Sequence, residues 1–337
     1  MSGVLIFPGR FQPPHRGHVQ AILAGLGFAD RVIVVCGGVD LSPSIQRPWS
    51  YAERADLLSA MLPEEIRSRV RILAVPDNPY RPARWADSIR SSIAAEIDRG
   101  SADAAHIGML AGTPAEAQFL DGLFPDWTCR LTGRLEQCES HELRAQFLAN
   151  GEAPTDGFTE PAAVLLRAWQ NSGTYRVLRT EFEANERFRA RWSEAPWPPV
   201  FVTVDAVVVT CEALLLIRRG RFPGKGLWAL PGGFLDPDES LYHACLRELA
   251  EETAIDVDSG VLAAGYRGVE VFDQPERSAR GRTITHAFHF VPEVVSAPRV
   301  SAGDDAAEAR WTPLREIRRQ DMFEDHYAIL QAVLGVE

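Results

Sequence analysis

The sequence predicts two domains of different class. The first is an α/β domain built on a doubly wound parallel sheet, and the second is an α+β domain with a mixed sheet. Three observations lead there. The 337 residues suffice for two domains at roughly 100–200 residues each. Strand-like and helix-like segments alternate through the first half, the pattern of βαβ units. After Ala195-Pro196-Trp197-Pro198-Pro199, too proline-rich for a helix interior, the texture turns to β-branched alternation. The expected boundaries are residues 1–192, a linker at 193–199, and residues 200–337.

Each element has its own signal. Val4–Phe7 is a short apolar run suited to a buried strand, Gly17–Leu26 reads as a helix, and Arg31–Cys36 is a second buried strand. That succession makes a right-handed βαβ unit. Tyr51–Met61 continues as helix, Val70–Val75 as strand, Trp85–Asp98 as helix and Ala105–Leu110 as strand. From Glu160 to Trp192 the pattern is helical and rich in Arg and Glu. In the second domain Val200–Thr210 and Ala213–Arg218 read as strands, Leu241–Thr253 as a helix, and Val261–Phe272 and Thr283–Val291 as strand-like.

Charge and cysteine usage exclude several classes. Lys and Arg total 35 against 46 Asp and Glu, a net charge of -11. Nucleic acid and anionic membrane both require a basic face, so neither is an expected partner. Small phosphorylated ligands remain open through local arginines. Cys36, Cys129, Cys138, Cys211 and Cys245 are odd in number and widely spaced, which suits reduced thiols better than disulfides or zinc. Residues 4–7 are too short an apolar run for a signal-peptide core, and no run of about 18 apolar residues occurs. A cytoplasmic location is expected.

The densest chemistry lies in Gly233-Phe-Leu-Asp-Pro-Asp-Glu239-Ser-Leu-Tyr-His-Ala-Cys-Leu-Arg247-Glu248-Leu249-Ala-Glu251-Glu252-Thr-Ala254-Ile255. A glycine loop feeds a helix on which Glu248, Glu251 and Glu252 share one edge. Crowded carboxylates repel unless a cation sits among them, and hard oxygen donors suit Mg2+ or Mn2+. Arg247 can pair with a glutamate and hold it. The spacing resembles the Nudix box, with Gly233, Glu239, Arg247, Glu248, Leu249, Glu251, Glu252 and Ile255 in register and Ala254 where the box has glycine. Six exact positions at about one in fifteen each arise by chance at roughly 10⁻⁷ per start. The resemblance implies hydrolysis of a nucleoside diphosphate linked to another moiety. Glu248, Glu251, Glu252 and Gly233 would bind metal, one glutamate could serve as base, and Arg247 would orient the cluster.

Arg277, Arg280 and Arg282 crowd one short segment of an acidic chain, and guanidinium forks bind phosphate bidentately. The segment around them, Val271–His286, resembles that of ADP-ribose pyrophosphatases fused to nicotinamide-nucleotide adenylyltransferases. Gly303–Trp311 also looks Nudix-like, with Glu308 as a loop carboxylate.

Gly9-Arg10-Phe11-Gln12-Pro13-Pro14-His15-Arg16-Gly17-His18 follows the first strand and opens the first helix. A helix N-terminus offers free N–H groups and partial positive charge, Gly17 permits close approach, and His15 and His18 can donate to phosphate oxygens. The run resembles the H-x-G-H signature of nucleotidyltransferases, in the wording of the nicotinamide-nucleotide adenylyltransferases. There the NMN phosphate attacks the α-phosphorus of ATP and pyrophosphate leaves. Gly9, Arg10, Phe11 and Gly17 would line the nucleotide site. Gln46-Arg47-Pro48-Trp49-Ser50-Tyr51-Ala52-Glu53-Arg54 resembles a further family segment, which adds Arg47. Trp85, with Asn78 and Tyr80, lies where the family stacks the nicotinamide ring, though Trp49 or Trp85 could equally be core.

The family's second signature, Ile-Ser-x-Thr-x-Ile-Arg, is altered. Its counterpart is Cys138-Glu139-Ser140-His141-Glu142-Leu143-Arg144, which keeps Arg144 for ATP phosphates but places Glu139 and His141 where hydroxyls are expected. Asn171–Arg176 is a rival match. The whole pattern resembles the bifunctional NMN adenylyltransferase/Nudix ADP-ribose pyrophosphatase family. Its ligands would be ADP-ribose, NMN, ATP as co-substrate and NAD, and a homodimer is an assembly the resemblance allows. Three readings of the first domain stay open: an active transferase, a nucleotide-binding or oligomerising module serving a hydrolase, or a different nucleotidyl transfer such as adenylylation of a related phosphate ester.

Overall fold

The computed structural model describes residues 3–97, 106–133, 139–152 and 157–336. Asp98, Ala105 and Cys138, where sequence features end or begin, lie outside them. Packing divides the chain at Thr180/Glu181, ahead of the prolines where composition changes. The reason lies in the aromatic residues after the division: Phe188 and Trp192 pack on Phe201, at 5.4 and 5.5 Å between rings.

In the first unit β1 (Val4–Gly9), β2 (Arg31–Cys36), β3 (Val70–Ala74), β4 (Ile107–Ala111) and β5 (Thr128–Leu131) form one sheet in the order β3-β2-β1-β4-β5. All its pairings are parallel. Val4, Leu5, Ile6 and Phe7 are buried, as a central parallel strand covered on both faces requires. Helices α1 (Arg16–Leu26), α2 (Tyr51–Met61), α3 (Pro82–Glu96) and α4 (Pro114–Leu123) connect the strands. Ile33, Val35, Ile89, Ile93, Met109 and Phe124 meet in one core layer. Strand order reverses between β1 and β4, so the crevice at their C-terminal ends is where such sheets place ligands. The loop carrying Arg10 to His15 leaves β1 at that point.

Helix ends follow local chemistry. Ser50 and Glu53 cap α2 reciprocally, as Thr113 and Glu116 cap α4. After α5 (Ser140–Asn150), the stretch expected to be helical over 160–192 forms two helices, α6 (Glu160–Trp169) and α7 (Gly173–Ala190). Ser172 Oγ accepts the Tyr175 N–H at 3.0 Å and restarts the helix.

The second unit holds β6 (Val200–Thr210), β7 (Ala213–Arg219), β8 (Trp228–Ala229), β9 (Gly232–Phe234), α8 (Leu241–Thr253), α9 (Ser259–Ala264), β10 (Tyr266–Phe272), β11 (Arg282–Phe290), β12 (Ala306–Pro313) and α10 (His326–Leu334). The sheet runs β10-β11-β6-β7-β12, with β8 on β7 and β9 on β6. β11 and β6 are parallel and the other pairings antiparallel, a mixed sheet. α8 lays Ala244, Cys245 and Leu249 on Val204, Ala206 and Phe288, which turns its other edge outward. Residues 261–264, expected as strand, are helical because Asp258 accepts the Gly260 and Val261 N–H groups and caps α9. Among the described residues, no helix is long and apolar enough to cross a membrane.

Ala254 ends α8 in the left-handed region, at φ 39 and ψ 41. That conformation costs a non-glycine residue about 1–2 kcal/mol, of which glycine returns about 0.5–1 through unfolded-chain entropy. Ala254→Gly is therefore expected to stabilise the second unit by about 0.5–1 kcal/mol, read as a higher urea midpoint. A lower midpoint contradicts this account.

Candidate active sites

In the second unit the acidic edge of α8 is organised by Arg247. Its Nε and Nη2 hold both oxygens of Glu239 at 3.0 and 2.6 Å. Nη1 donates to Glu248 at 2.9 Å and Glu251 at 3.0 Å, and Nη2 also reaches the Phe234 carbonyl at 3.2 Å. The hydrogen bond from Arg247 holds the Glu239 carboxyl below its ordinary range, and Glu239 in turn raises Arg247. Helix edge, glycine loop and preceding turn are thereby tied to one guanidinium.

Glu252 stands apart. It is 6% exposed, and its Oε2 accepts the Gly232 N–H at 2.9 Å. Burial pushes its carboxyl up to about 8, against the pull of the Gly232 bond and with Glu248 adding to the rise. Glu248 is raised by burial too. A Cβ on Gly233 would meet the Glu248 carboxylate and displace it from its present position. Carboxylate oxygens gathered beside a backbone turn are the hard donors a divalent cation takes, and a cation among them would favour the ionised forms that burial disfavours. Among the described residues no three His, Cys, Asp or Glu side chains yet converge on one point, and Arg247 Nη1 bonds to both Glu248 and Glu251.

The three clustered arginines have three different surroundings. Arg277 is 5% exposed and forms a bidentate pair with Asp325, both bonds at 3.0 Å. In this structure that pair, not a ligand, occupies its fork. Arg282 donates to the Asp273 carbonyl. Arg280 lies over the Phe234 ring at 4.9 Å and senses the Glu324 carboxylate. Glu308 on β12 faces Arg218 and Arg310, each at 3.9 Å.

Sequence reasoning missed Arg219, at the end of β7. Its guanidinium lies 4.2 Å from the Phe323 ring centroid, and its Nε donates to the Pro223 carbonyl at 2.8 Å. Burial, then the neighbouring Arg280, pull its pKa down, while Glu324, Glu252 and Glu181 oppose. Two cations thus approach each other on the Glu252 side. Also missed was Phe323–His326, which supplies the ring under Arg219, the Glu324 bond to the Ala279 N–H, the Asp325 partner of Arg277, and His326 Nδ1 for the Leu230 N–H. Its partners lie far off in sequence, so no local spacing marks it.

In the first unit, His15 is the N-cap of α1, and its N–H donates to His18 Nδ1 at 3.1 Å. His18 Nε2 is then the N–H tautomer. The two rings lie 3.8 Å apart between centroids, tilted by 38°. Phe11, at φ 50, sets its ring 4.8 Å from His18 and against Gly9, where a Cβ would crowd it. Gly17 leaves room for the His15 ring. Burial lowers His15 to about 4, with Glu139 opposing, and burial with His15 lowers His18 well below 6.5. Both imidazoles are neutral at pH 7, each with one N–H to give.

The altered second signature does reach this loop. Arg144 Nη1 donates to the Gln12 carbonyl at 2.6 Å, and Ser140 Oγ to the Pro13 carbonyl at 3.0 Å. Arg10 Nε lies 3.4 Å from Asp77, and Arg47 lies beside Gly38. Arg54, fully buried, donates to the carbonyls of Arg10, Gly37 and Gly38 and so ties together the loops after β1 and β2. Trp49 is core, packed on Phe147 and Trp169. Trp85 is half-buried against Phe119 and Phe124. The rival Asn171–Arg176 match uses Ser172 to cap α7.

His15 binds a proton near 6.5 when unfolded and near 4 when folded, so protons in that window favour the unfolded chain. The stability His15 contributes is complete above about 6.5 and falls as pH drops towards 4. Urea melts at pH 7 and pH 5 should show a smaller loss in His15→Gln than in wild type. Equal losses contradict the buried neutral imidazole.

A family model for the NUDIX domain matches residues 200–333, and one for cytidylyltransferase-like domains matches residues 6–81. The crystal structure of a bifunctional NMN adenylyltransferase/ADP ribose pyrophosphatase from Francisella tularensis, complexed with AMP and a Mn ion, superposes with TM-score 0.90 and 31% identity over 99% of each chain. The nicotinamide/nicotinic acid mononucleotide adenylyltransferase of Acinetobacter baylyi is 26% identical over 182 residues, 54% of this chain and 94% of that protein. The ADP-ribose pyrophosphatase of Methanocaldococcus jannaschii is 33% identical over 130 residues, 39% of this chain and 70% of its own.

Proposed function

We infer the activities of this chain from its family: it belongs to the bifunctional NMN adenylyltransferase/ADP-ribose pyrophosphatases. The second domain splits ADP-ribose into AMP and ribose 5-phosphate. The first joins NMN to the adenylyl group of ATP, giving NAD and pyrophosphate. The observation that carries the hydrolase reading is the Arg247-centred cluster, in which one guanidinium holds Glu239, Glu248 and Glu251 around the Gly233 turn.

In the hydrolase, Glu248, Glu251, Glu252 and the Gly233 backbone would hold Mg2+ or Mn2+, an ion that neutralises diphosphate charge and acidifies water when bound. The chain's own residues do the rest. Arg247 fixes the glutamates in place, and Gly233 keeps the approach to Glu248 open. Arg280 and Arg219 offer guanidinium forks to the diphosphate. Arg277 acts through Asp325 by holding the segment that carries Arg280. Among the glutamates, Glu252, pushed up to about 8, is the group able to take a proton near neutral pH, and burial raises Glu248 in the same direction.

In the transferase, the α1 N-terminus and the N–H groups of neutral His15 and His18 receive ATP phosphate oxygens. Arg10, Arg47 and Arg144 add positive charge around Gly9, Phe11 and Gly17, and Trp85 offers an aromatic face to the nicotinamide. No covalent intermediate on the protein is needed, so catalysis is positioning and charge stabilisation. Glu139, close enough to His15 to raise its pKa, places a negative charge by the phosphate site and favours the second reading, a binding module without turnover. Free Cys36, Cys129, Cys211 and Cys245 suit a reducing cytoplasmic setting.

Phosphorus NMR of the purified protein with NMN, ATP and Mg2+, and separately with ADP-ribose, tests both halves. NAD and pyrophosphate signals are expected in the first tube, AMP and ribose 5-phosphate in the second. ADP-ribose hydrolysis without NAD formation would leave a hydrolase with a nucleotide-binding module.

A further inference from the structure

The NUDIX match begins at residue 200, yet the second compact unit begins at Glu181. Between them lies the second half of α7, whose inward face is polar. Glu181 and Asn185, one turn apart, are 6% and 2% exposed. Phe188 and Arg189 extend the same face. Phe188 stacks on Phe234 at 6.2 Å, and Phe234 is the ring beneath Arg280. Arg189 Nη2 donates to the Ala279 carbonyl at 2.7 Å, next to Arg280 in the chain. This face therefore borders the residues that carry the arginine pair.

Glu181 has the most direct connection. Its Oε2 accepts the Gly224 N–H at 3.0 Å, and the Pro223 carbonyl just before it accepts Arg219 Nε at 2.8 Å. Carboxylate and guanidinium thus grip adjoining backbone groups of one loop. Gly224 has φ +72, and a Cβ there would collide with Phe323, the ring against which Arg219 lies. The loop is held between Phe323 and Glu181 with little freedom to shift. A nearly buried carboxylate is costly unless hydrogen-bonded and close to a cation. Glu181 meets both conditions, since its charge acts on Arg219.

We propose that Glu181 is a positioning residue of the ADP-ribose site: through the Pro223–Gly224 segment it sets the Arg219 guanidinium for the substrate diphosphate, so that the end of α7, outside the hydrolase fold's own span, completes that site. The proposal rests on the hydrolase reading above. It assigns Glu181 no contact with substrate. Its action is on the geometry and charge of Arg219.

The test is steady-state hydrolysis of ADP-ribose by the full-length chain, wild type beside Glu181→Ala and Glu181→Gln. Glu181→Ala is expected to raise KM about tenfold with kcat within about twofold, the signature of lost binding shared by ground and transition states. Glu181→Gln keeps an acceptor for the Gly224 N–H but no charge, and its KM should fall between the two. A merely structural role lowers kcat through loss of active protein at unchanged KM, and that result overturns the proposal. So does an unchanged KM in both variants. Should Glu181→Ala fail to fold, Glu181→Gln decides alone, a raised KM supporting and an unchanged KM overturning. Wild-type protein that hydrolyses no ADP-ribose removes the hydrolase reading and this proposal together, whereas wild-type turnover with unmoved variants removes the proposal only.

Discussion

Glu251→Gln is expected to reduce ADP-ribose hydrolysis by about 10²–10³-fold, the range seen when one preorganised charge-stabilising group is removed. The substitution is nearly isosteric and the site is exposed on the outer edge of α8, so the fold has no reason to change. Glutamine retains an oxygen for Arg247 Nη1, which preserves the tie between α8 and the Gly233 turn. What disappears is one negative charge from a cluster already short of ionised oxygen, since burial disfavours the charged forms of Glu248 and Glu252. A cation held by this edge would lose one of its carboxylate donors. Hydrolysis rates at saturating Mg2+ check the effect, with circular dichroism to establish the fold. Activity within a few-fold of wild type would overturn the assignment of Glu251 to the metal-binding edge.

What could be read from the chain divides along a physical line. The α8 edge was legible because helix periodicity alone sets Glu251 and Glu252 each beside Glu248, and the fixed spacing to Gly233 and Glu239 closes the turn on Arg247. The parallel sheet was legible because strands covered on both faces must be apolar throughout, as Val4–Phe7 and Arg31–Cys36 nearly are. Residues 261–264 were read as strand because a short apolar run carries no period. The available signal was Asp258 ahead of them, a capping residue. Arg277 illustrates the limit. Charge clustering marks it as a phosphate ligand, but its partner Asp325 stands 48 residues on and only the folded chain joins them. Arg219 and Phe323 escaped notice for the same reason. Their contact requires β7, β8 and the segment before α10 to be in place.

His18→Ala is the second large effect, an expected loss of NAD synthesis of about 10²–10³-fold with ADP-ribose hydrolysis unchanged. His18 has two functions in the structure. Through Nδ1 it accepts the His15 N–H and so completes the first turn of α1, which leaves the ring N–H on Nε2. Alanine removes both, so the turn loses a donor and the His15 ring loses its neighbour. His18→Asn separates the two. Asparagine at this helix position has an oxygen short enough in reach to accept the His15 N–H but presents its amide elsewhere, so it should recover stability without recovering rate. The imidazoles are neutral well above their lowered pKa values, which means the rate should not fall as pH rises from 7 to 8 through loss of a histidine proton. Should His18→Ala keep wild-type NAD synthesis, the adenylyl transfer does not depend on this turn. If wild type and variant both bind ATP and neither makes NAD, the carboxylate of Glu139 beside His15 becomes the residue to explain it, and Glu139→Ser is the substitution that restores the hydroxyl the signature lacks.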